Sequence, residues 1–411
     1  MKQGWEIKKL GDVYDVYDVR DGTHDSPKYV KEGYALITSK NLKNDNLNYD
    51  NVNYITEQDY ISINKRSKVD IGDILFAMIG TIGNPIVIKD EPDFAIKNVA
   101  LFKVPTTQDS YFLKYYLDSG LVIEQMIRDA KGATQKFVGL GYLRAFEIPL
   151  PPIQEQQRIV AILDEAFAAI AQAKANAEQN LKNAKELFES YLQSVFENKG
   201  EGWEEKTVEN LIKEGAIYKP LDGNHGEIHP LKDDYVDKGI PFIMSRDMKN
   251  GIVDEDNCKF ISEEQARSLR TGFSVRGDVL LSHKGTIGSV AILETNNEFV
   301  ILTPQITYYR IKNKDKFYNR FLYYYFLSPA FQKAINGIAQ GGSTRAYIGI
   351  TKQLNLSIVI APLKEQQDIV QKLDALSTET KQLEAIYQQK INDLDELKKS
   401  ILQKAFAGEL H

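Results

Sequence analysis

Two short turns carry the polar side chains best suited to chemistry or to binding: Asp21-Gly22-Thr23-His24 and Asp222-Gly223-Asn224-His225. Asp and Gly build tight turns. A histidine that follows either closes a local hydrogen bond or projects from the loop toward a ligand, and both alternatives stand for Thr23, His24, Asn224 and His225. Catalysis finds less support. Pro92-Asp93-Phe94-Ala95-Ile96-Lys97 has the acid–lysine pair of a nuclease but lacks the second acidic residue that would help hold a metal. A methyltransferase needs a glycine-rich cofactor turn after a strand and an Asn-Pro-Pro-aromatic motif, and Asn84-Pro85-Ile86 is only a turn. There is no Walker-type phosphate loop, and the five histidines lack ligand spacing. The chain reads as non-catalytic, with no metal or cofactor of its own.

Further polar residues occur in pairs. Gly80-Thr81-Ile82-Gly83 returns as Gly285-Thr286-Ile287-Gly288. Such glycines allow positive φ or the close approach of another backbone, so Thr81 and Thr286 mark either tight packing or a phosphate contact. Lys284 precedes the second loop, where the first has Ile79. Lys40 and Arg246 follow matching apolar strand ends; Arg bonds guanine O6 and N7 bidentately, whereas Lys more often supports phosphate. Thr134, Gln135 and Lys136 lie in a glycine-bounded loop over 132–139, and Ser343, Thr344 and Arg345 in its counterpart over 341–349. Gln135 and Arg345 are equivalent in position yet suit adenine and guanine respectively.

Charge by itself argues mildly against DNA. The net charge is −6, and residues 1–150 and 151–200 each carry about −2, 201–360 about 0 and 361–411 about −2. Basic side chains would have to gather on one face of a nearly neutral module to bind phosphate. Cys258 is the single cysteine, which fits a reducing cytoplasm. The N-terminal residues lack the apolar stretch of a signal peptide. The longest uncharged apolar run, 74–88, contains Gly80, Gly83 and Pro85 and is too short to span a bilayer, so no membrane is expected as partner.

The elements that must position these residues are set out by a repeat. Glu155-Gln156-Gln157-Arg158-Ile159-Val160 returns as Glu365-Gln366-Gln367-Asp368-Ile369-Val370, and Gly4-Trp5-Glu6 as Gly202-Trp203-Glu204. The offset between copies grows from 198 to 201, about 205 and then 210, which places small insertions in the loops of the second copy. Apolar runs at 35–38, 74–79, 86–88, 279–281, 290–293 and 306–311, bounded by Gly, Pro, Asn or Asp, predict strands. One helix per module is expected, near 112–117 and 321–327. Each module is therefore mixed, mainly β. Behind each stands a long helix. Ile159, Leu163, Ala166, Ile170, Ala173, Ala177, Leu181, Ala184, Leu187 and Tyr191 recur at three- and four-residue spacings, as do their counterparts from Ile369 to Ile401. Both copies contain one four-four step. About 45 residues give a helix of roughly 65–70 Å. A seam of that length needs a partner, and its twin is the nearest candidate, which predicts an antiparallel coiled coil with pseudo-twofold symmetry.

With Pro149-Leu150-Pro151-Pro152-Ile153-Gln154 before Glu155, and Ala361-Pro362-Leu363-Lys364 before Glu365, this pattern resembles the specificity (S) subunit of Type I restriction–modification systems along essentially the whole chain. The resemblance implies an α+β fold: two similar, mainly β target recognition domains, 1–150 and 201–360, separated by conserved helices at 151–200 and 361–411. It implies that the subunit carries no chemistry. Each domain reads one half of a split site in double-stranded DNA through the major groove, and the helices act as a ruler. Two methyltransferase (M) subunits, which use S-adenosylmethionine, dock on the helices and in turn support ATP- and Mg-dependent restriction (R) subunits. Gln156, Gln157, Arg158, Gln366 and Gln367, at the helix starts, either contact those M subunits or cap and solvate the helix. The competing class is a coiled-coil adaptor whose two β modules bind protein or carbohydrate.

Overall fold

The computed structural model describes residues 4–12, 16–43, 45–225, 228–339 and 347–410. Internal contacts divide it into two compact units, Met1–Glu178 with Gln388–His411 and Gln179–Tyr387, so each unit holds one module and a piece of both long helices. Among the described residues no helix is long and apolar enough to cross a membrane.

In the first module, strand Glu6–Lys9 pairs antiparallel with Glu147–Leu150, the strand that leads into the long helix. Next to this closure stands a four-stranded antiparallel sheet in the order Asp18–Asp21, Val99–Lys103, Ile74–Ala77, Gly83–Val87. A second sheet carries Asn53–Ile55, Tyr34–Ile37 and Phe94–Ile96, the last two parallel. Ile74–Ala77 is buried at every position because both of its faces are covered. The two-residue alternation of a strand divides it: Ile74 and Phe76 join the core beneath helix Ser110–Leu117, while Leu75 and Ala77 face the core shared with Phe94 and Ile96.

The second module follows the same plan with longer sheets. Leu221–Asp222, Ile306–Tyr309, Val279–Ser282, Val290–Ile292, Ile252–Val253 and Met248–Lys249 form one sheet, and Tyr235–Val236, Lys259–Ile261, Ile240–Ile243, Val300–Leu302 and Phe273–Ser274 the other. Val279 and Leu281 face the helical core, and Leu280 the opposite one. Glu204–Thr207 pairs with Ser357–Ile360 as the closing ribbon.

The expectation of one helix per module is too low. The described residues add Glu57–Ser67, Gly120–Asp129 and Leu140–Ala145 in the first module, and Val208–Lys213, Glu263–Ser268, Pro329–Ala339 and Ile350–Leu354 in the second. Glu57–Ser67 shows why. Its apolar stripe is short, Tyr60 and Ile63, which pack against Leu36, Ile55 and Ala95, with Tyr60 stacked on Tyr34. Thr56, whose side chain accepts from Asp59 N, and acidic residues in the first turn and basic ones in the last add to this packing.

The long helices run Ile153–Glu197 and Leu363–Ala407, 45 residues each. In the first unit their pieces pair antiparallel: Arg158 Nη2 donates to the Leu410 carbonyl at 2.9 Å, and Lys174 meets Asp395 at 2.7 Å, so numbering rises on one as it falls on the other. The predicted seam is only partly the buried stripe. Ile159, Leu163, Ile170, Ala177, Ala184, Leu373, Thr380 and Ile391 are buried, whereas Leu187, Leu383 and Leu397 are exposed at 51%, 37% and 47%. Leu383 opens the four-four step, where each step turns the stripe by about 40° off a straight seam. Beyond Leu187 and Leu397 the partner changes from helix to module. Leu192 and Phe196 enter the second module's core, and Leu402 and Ala405 the first's. Leu163→Ala should therefore cost about 2–5 kcal/mol in denaturant unfolding, against less than about 0.5 kcal/mol for Leu187→Ala. Equal losses would contradict this assignment of the seam.

Candidate nucleic-acid interface

Strand directions decide which loops meet. Val99–Lys103 runs antiparallel to both Asp18–Asp21 and Ile74–Ala77, so the last residues of those two strands and the first of Val99–Lys103 share one edge. Residues 22–24, 78–82 and 97–98 leave the sheet there. Ile37 pairs with Ile96, and Lys97 N donates to the Ile37 carbonyl at 2.8 Å, which brings the turn Ser39–Asn41 to the same edge. Residues 131–138 complete it: Val138 N bonds the Met78 carbonyl and Gly80 N the Lys136 carbonyl, both at 2.9 Å. Thr23, His24, Lys40, Thr81, Thr134, Gln135 and Lys136 are thus gathered on one edge, all exposed except the half-buried Thr23.

The second module builds its edge from the same connections. Thr303 N bonds the Ile243 carbonyl at 2.9 Å and Asn224 N the Leu302 carbonyl at 2.8 Å, and Lys284 is bridged to Tyr347. His225, Arg246, Lys284 and Thr286 are exposed there. Lys284 Nζ lies 6.0 Å from the centre of the Tyr347 ring. Ser343, Thr344 and Arg345 lie outside the described residues.

The glycines of these loops are fixed by geometry. A Cβ on Gly22 would stand 2.3 Å from the Ile96 carbonyl oxygen, and one on Gly223 2.0 Å from that of Thr303, so only glycine lets the Asp-Gly turn lie on the neighbouring strand end. Gly80, Gly83, Gly285 and Gly288 all have positive φ.

His24 is poised to carry charge. Nδ1 meets Asn98 Oδ1 at 2.7 Å and Nε2 meets Asp21 Oδ2 at 2.8 Å, so both ring nitrogens face acceptors. The bond to Asn98, then that to Asp21, raises its pKa above the ordinary histidine range. Arg66 Nη2 holds the other Asp21 oxygen at 2.7 Å. His225 repeats the pairing with Asp222 at 3.2 Å. Beside it, burial pushes the pKa of His283 down and keeps that ring neutral.

Three candidates belong to the frame and not to the surface. Asn224 is fully buried, and its Nδ2 donates to the Ile228 carbonyl at 2.9 Å, so it shapes the turn and cannot reach DNA. Gln156 and Gln366 are likewise 0% exposed. Gln156 Oε1 accepts from Asp109 N at 3.0 Å and its Nε2 donates to the Pro151 carbonyl at 2.8 Å; Gln366 Oε1 accepts from Tyr318 N at 2.9 Å and its Nε2 donates to the Ala361 carbonyl at 2.7 Å. A contact between either amide and a partner subunit is excluded by this burial. Arg158 is half-buried and engaged by Glu155 at 2.7 Å and by the Leu410 carbonyl. Gln157 and Gln367 remain exposed. Sequence reasoning missed Asn98, Arg66, His283, Phe137 and Tyr347. Phe137, 39% exposed and bridged to Ile79, corresponds to Tyr347, 47% exposed and bridged to Lys284. Two exposed aromatics at matched loop positions were a readable signal.

Two matched edges of exposed donors on rigid β frames, each module followed by a long helix, define a two-module recognition protein. A family model described as Type I restriction modification DNA specificity domain matches residues 2–183 and 201–393, and the chain belongs to that family, with two copies of its domain. The EcoKI specificity subunit, of a type I restriction enzyme from Escherichia coli (strain K12), is 22% identical over 433 residues, covering 100% of this chain and 90% of the relative. The crystal structure of the HsdS subunit from Thermoanaerobacter tengcongensis matches with a TM-score of 0.60 at 20% identity, covering 100% of this chain and 98% of that one. A chain from a study of complex assembly and conformational transition of the type I R-M system matches at 0.75, also 20% identical, covering 100% and 99%. These likenesses in structure show the fold.

The raised pKa of His24 sets the sign of a pH effect. Its bonds to Asp21 and Asn98 add stability below the ordinary histidine pKa, and that contribution is lost as pH rises through the raised value. Asn98→Gly tolerates the left-handed backbone at this position (φ 55) but removes the acceptor. An NMR titration should then show the His24 midpoint moving down toward the ordinary range; an unmoved midpoint would show that Asn98 does not hold the proton.

Proposed function

We propose that this chain is the DNA-specificity subunit of a Type I restriction–modification complex acting in the cytoplasm. Each module reads one half of an asymmetric bipartite duplex target from its loop edge. The observation that carries this reading is that the two edges share one frame but not one set of side chains: Ile79 and Phe137 stand in the first module where Lys284 and Tyr347 stand in the second. Phosphate contacts position such a reader, while base contacts in the groove specify the sequence. Lys40, Lys136 and protonated His24 suit phosphate; Gln135 and Arg246 suit base edges. Family membership favours DNA over the protein or carbohydrate of the adaptor reading.

The chain itself is non-catalytic in this reading. The long helices set the gap between half-sites and dock two methyltransferase subunits, with Gln157 and Gln367 as exposed contacts. S-adenosylmethionine serves those subunits, and ATP and Mg serve the restriction subunits. With no basic segment in the chain, affinity for DNA depends on the assembled complex.

The test uses the complex assembled with its methyltransferase subunits and maps the motif it methylates. The intact chain should give an asymmetric, interrupted motif. Inserting four residues, about one turn, into the first long helix should change the length of the gap and leave both half-sites intact. An unchanged gap would sink the ruler role.

A further inference from the structure

The two edges differ beneath the surface as well as on it. Under the second edge lies a polar cluster in which His283, Thr307, Tyr309 and Gln353 are 0% exposed and Asp222 is buried. His283 Nε2 meets the Pro304 carbonyl at 3.0 Å, and Nδ1 meets both the Ile348 carbonyl at 3.1 Å and Gln353 Nε2 at 3.0 Å, so the ring is held from both sides. Gln353 Nε2 also donates to the Ile348 carbonyl at 2.9 Å, and Gln353 Oε1 accepts from Tyr309 Oη at 2.8 Å. Thr307 Oγ1 donates to Asp222 Oδ1 at 2.6 Å.

Among the described residues, the first module has no such cluster. Its helix–sheet connections are the same: Val138 N bonds the Met78 carbonyl as Ile348 N bonds that of His283, and Ala100 pairs with Asp21 as Thr307 pairs with Asp222. Leu143 N bonds the Gly139 carbonyl as Gln353 N bonds that of Gly349. Met78, Ala100 and Leu143, all buried, therefore occupy the positions of His283, Thr307 and Gln353.

The polar cluster touches the residues that flank the exposed pair. His283 precedes Lys284, and Ile348 follows Tyr347. The His283 ring centre also lies 5.5 Å from that of Tyr347. Its hydrogen bonds are directional and shielded from water, so they hold four segments in one arrangement, which apolar contacts of equal area do not require. The exposed pair offers matching chemistry: a lysine ammonium for guanine O6 and N7, and an aromatic face for a thymine methyl.

We propose that His283, Thr307, Gln353 and Asp222 are positioning residues for base readout by the second module, and that Lys284 and Tyr347 are the specificity-determining side chains they hold. The inference rests on the reading of each module as a half-site reader.

The test compares methylated motifs made by the assembled complex. Lys284→Ala and Tyr347→Ala change exposed side chains. A combined His283→Met, Thr307→Ala and Gln353→Leu variant transplants the first module's residues. Thr307→Val removes a single buried hydroxyl and Thr307→Ser restores it, which keeps the test alive should the combined variant fail to fold. All variants except Thr307→Ser should relax the same half-site, lowering base discrimination there by about tenfold or more, with the other half unchanged. Thr307→Ser should keep the parent motif. Unchanged motifs in the surface variants, or in a folded cluster variant, would overturn the proposal, as would relaxation of both halves. An uninterrupted motif from the parent chain would instead overturn the half-site reading itself.

Discussion

Each long helix is fastened to its module by one buried glutamine amide. The first backbone N–H groups of a helix and the carbonyls just before it lack intrahelical partners and need others if they are shielded from water. Gln156 and Gln366 meet that need and reach beyond it. Each bonds the carbonyl of the residue five positions back and the backbone N–H at or next to the start of a second helix, Ser110–Leu117 or Asn319–Leu327. Losing such an amide would leave two or three buried groups unpaired, at about 1–3 kcal/mol each. The residues that follow, Gln157 and Gln367, face outward. A motif that looks like a solvated helix start is therefore half anchor and half surface.

Around that anchor the two modules repeat one another in detail. Tyr115 donates to Asp164 as Tyr324 does to Asp374, across the junction of module and helix. Tyr116 bonds the Glu147 carbonyl at 2.6 Å as Tyr325 bonds that of Ser357 at 3.0 Å. Asp73 is held by Lys103, and Asp278 by Arg310. The sheet edge thus stands in a set place relative to the helix that follows it. The far side differs in side chains that matter to a reader: Met78 against His283, Ala100 against Thr307, Ile79 against Lys284. A fixed mount and an exchangeable reading edge are the physical requirements of sequence selection by a duplicated domain.

The repeat was legible because its motifs recur in order, and the buried strands and the existence of the long helices because each rests on local periodicity. Ile74–Ala77 is apolar at every position, and Ile159, Leu163 and Ile170 mark the seam without help from the rest of the chain. What was not legible depends on partners distant in sequence. Gln156 reads as a surface residue until Asp109 and Pro151 are placed around it. Leu187 and Leu397 fit the heptad but lose their places to Leu192 and Leu402, because the modules outcompete the neighbouring helix near each helix's end. Glu57–Ser67 has only a short stripe, Tyr60 and Ile63, whose partners Tyr34, Leu36 and Ala95 lie far away in sequence. At the edge, spacing placed Lys40, His24 and Gln135 among the candidates, while the burial of Asn224 and the cluster around His283 emerge only when strand ends are brought side by side.

The central claim is that each module, by itself, selects the bases of one half-site. A chain in which residues 201–360 are replaced by a second copy of 1–150, joined at the same helix ends, isolates it. The methylated motif of the complex assembled on that chain would be read by sequencing modified DNA. Both halves should then carry the same bases, those of the parent half-site read by the first module. A motif that keeps the parent's second half would contradict the account.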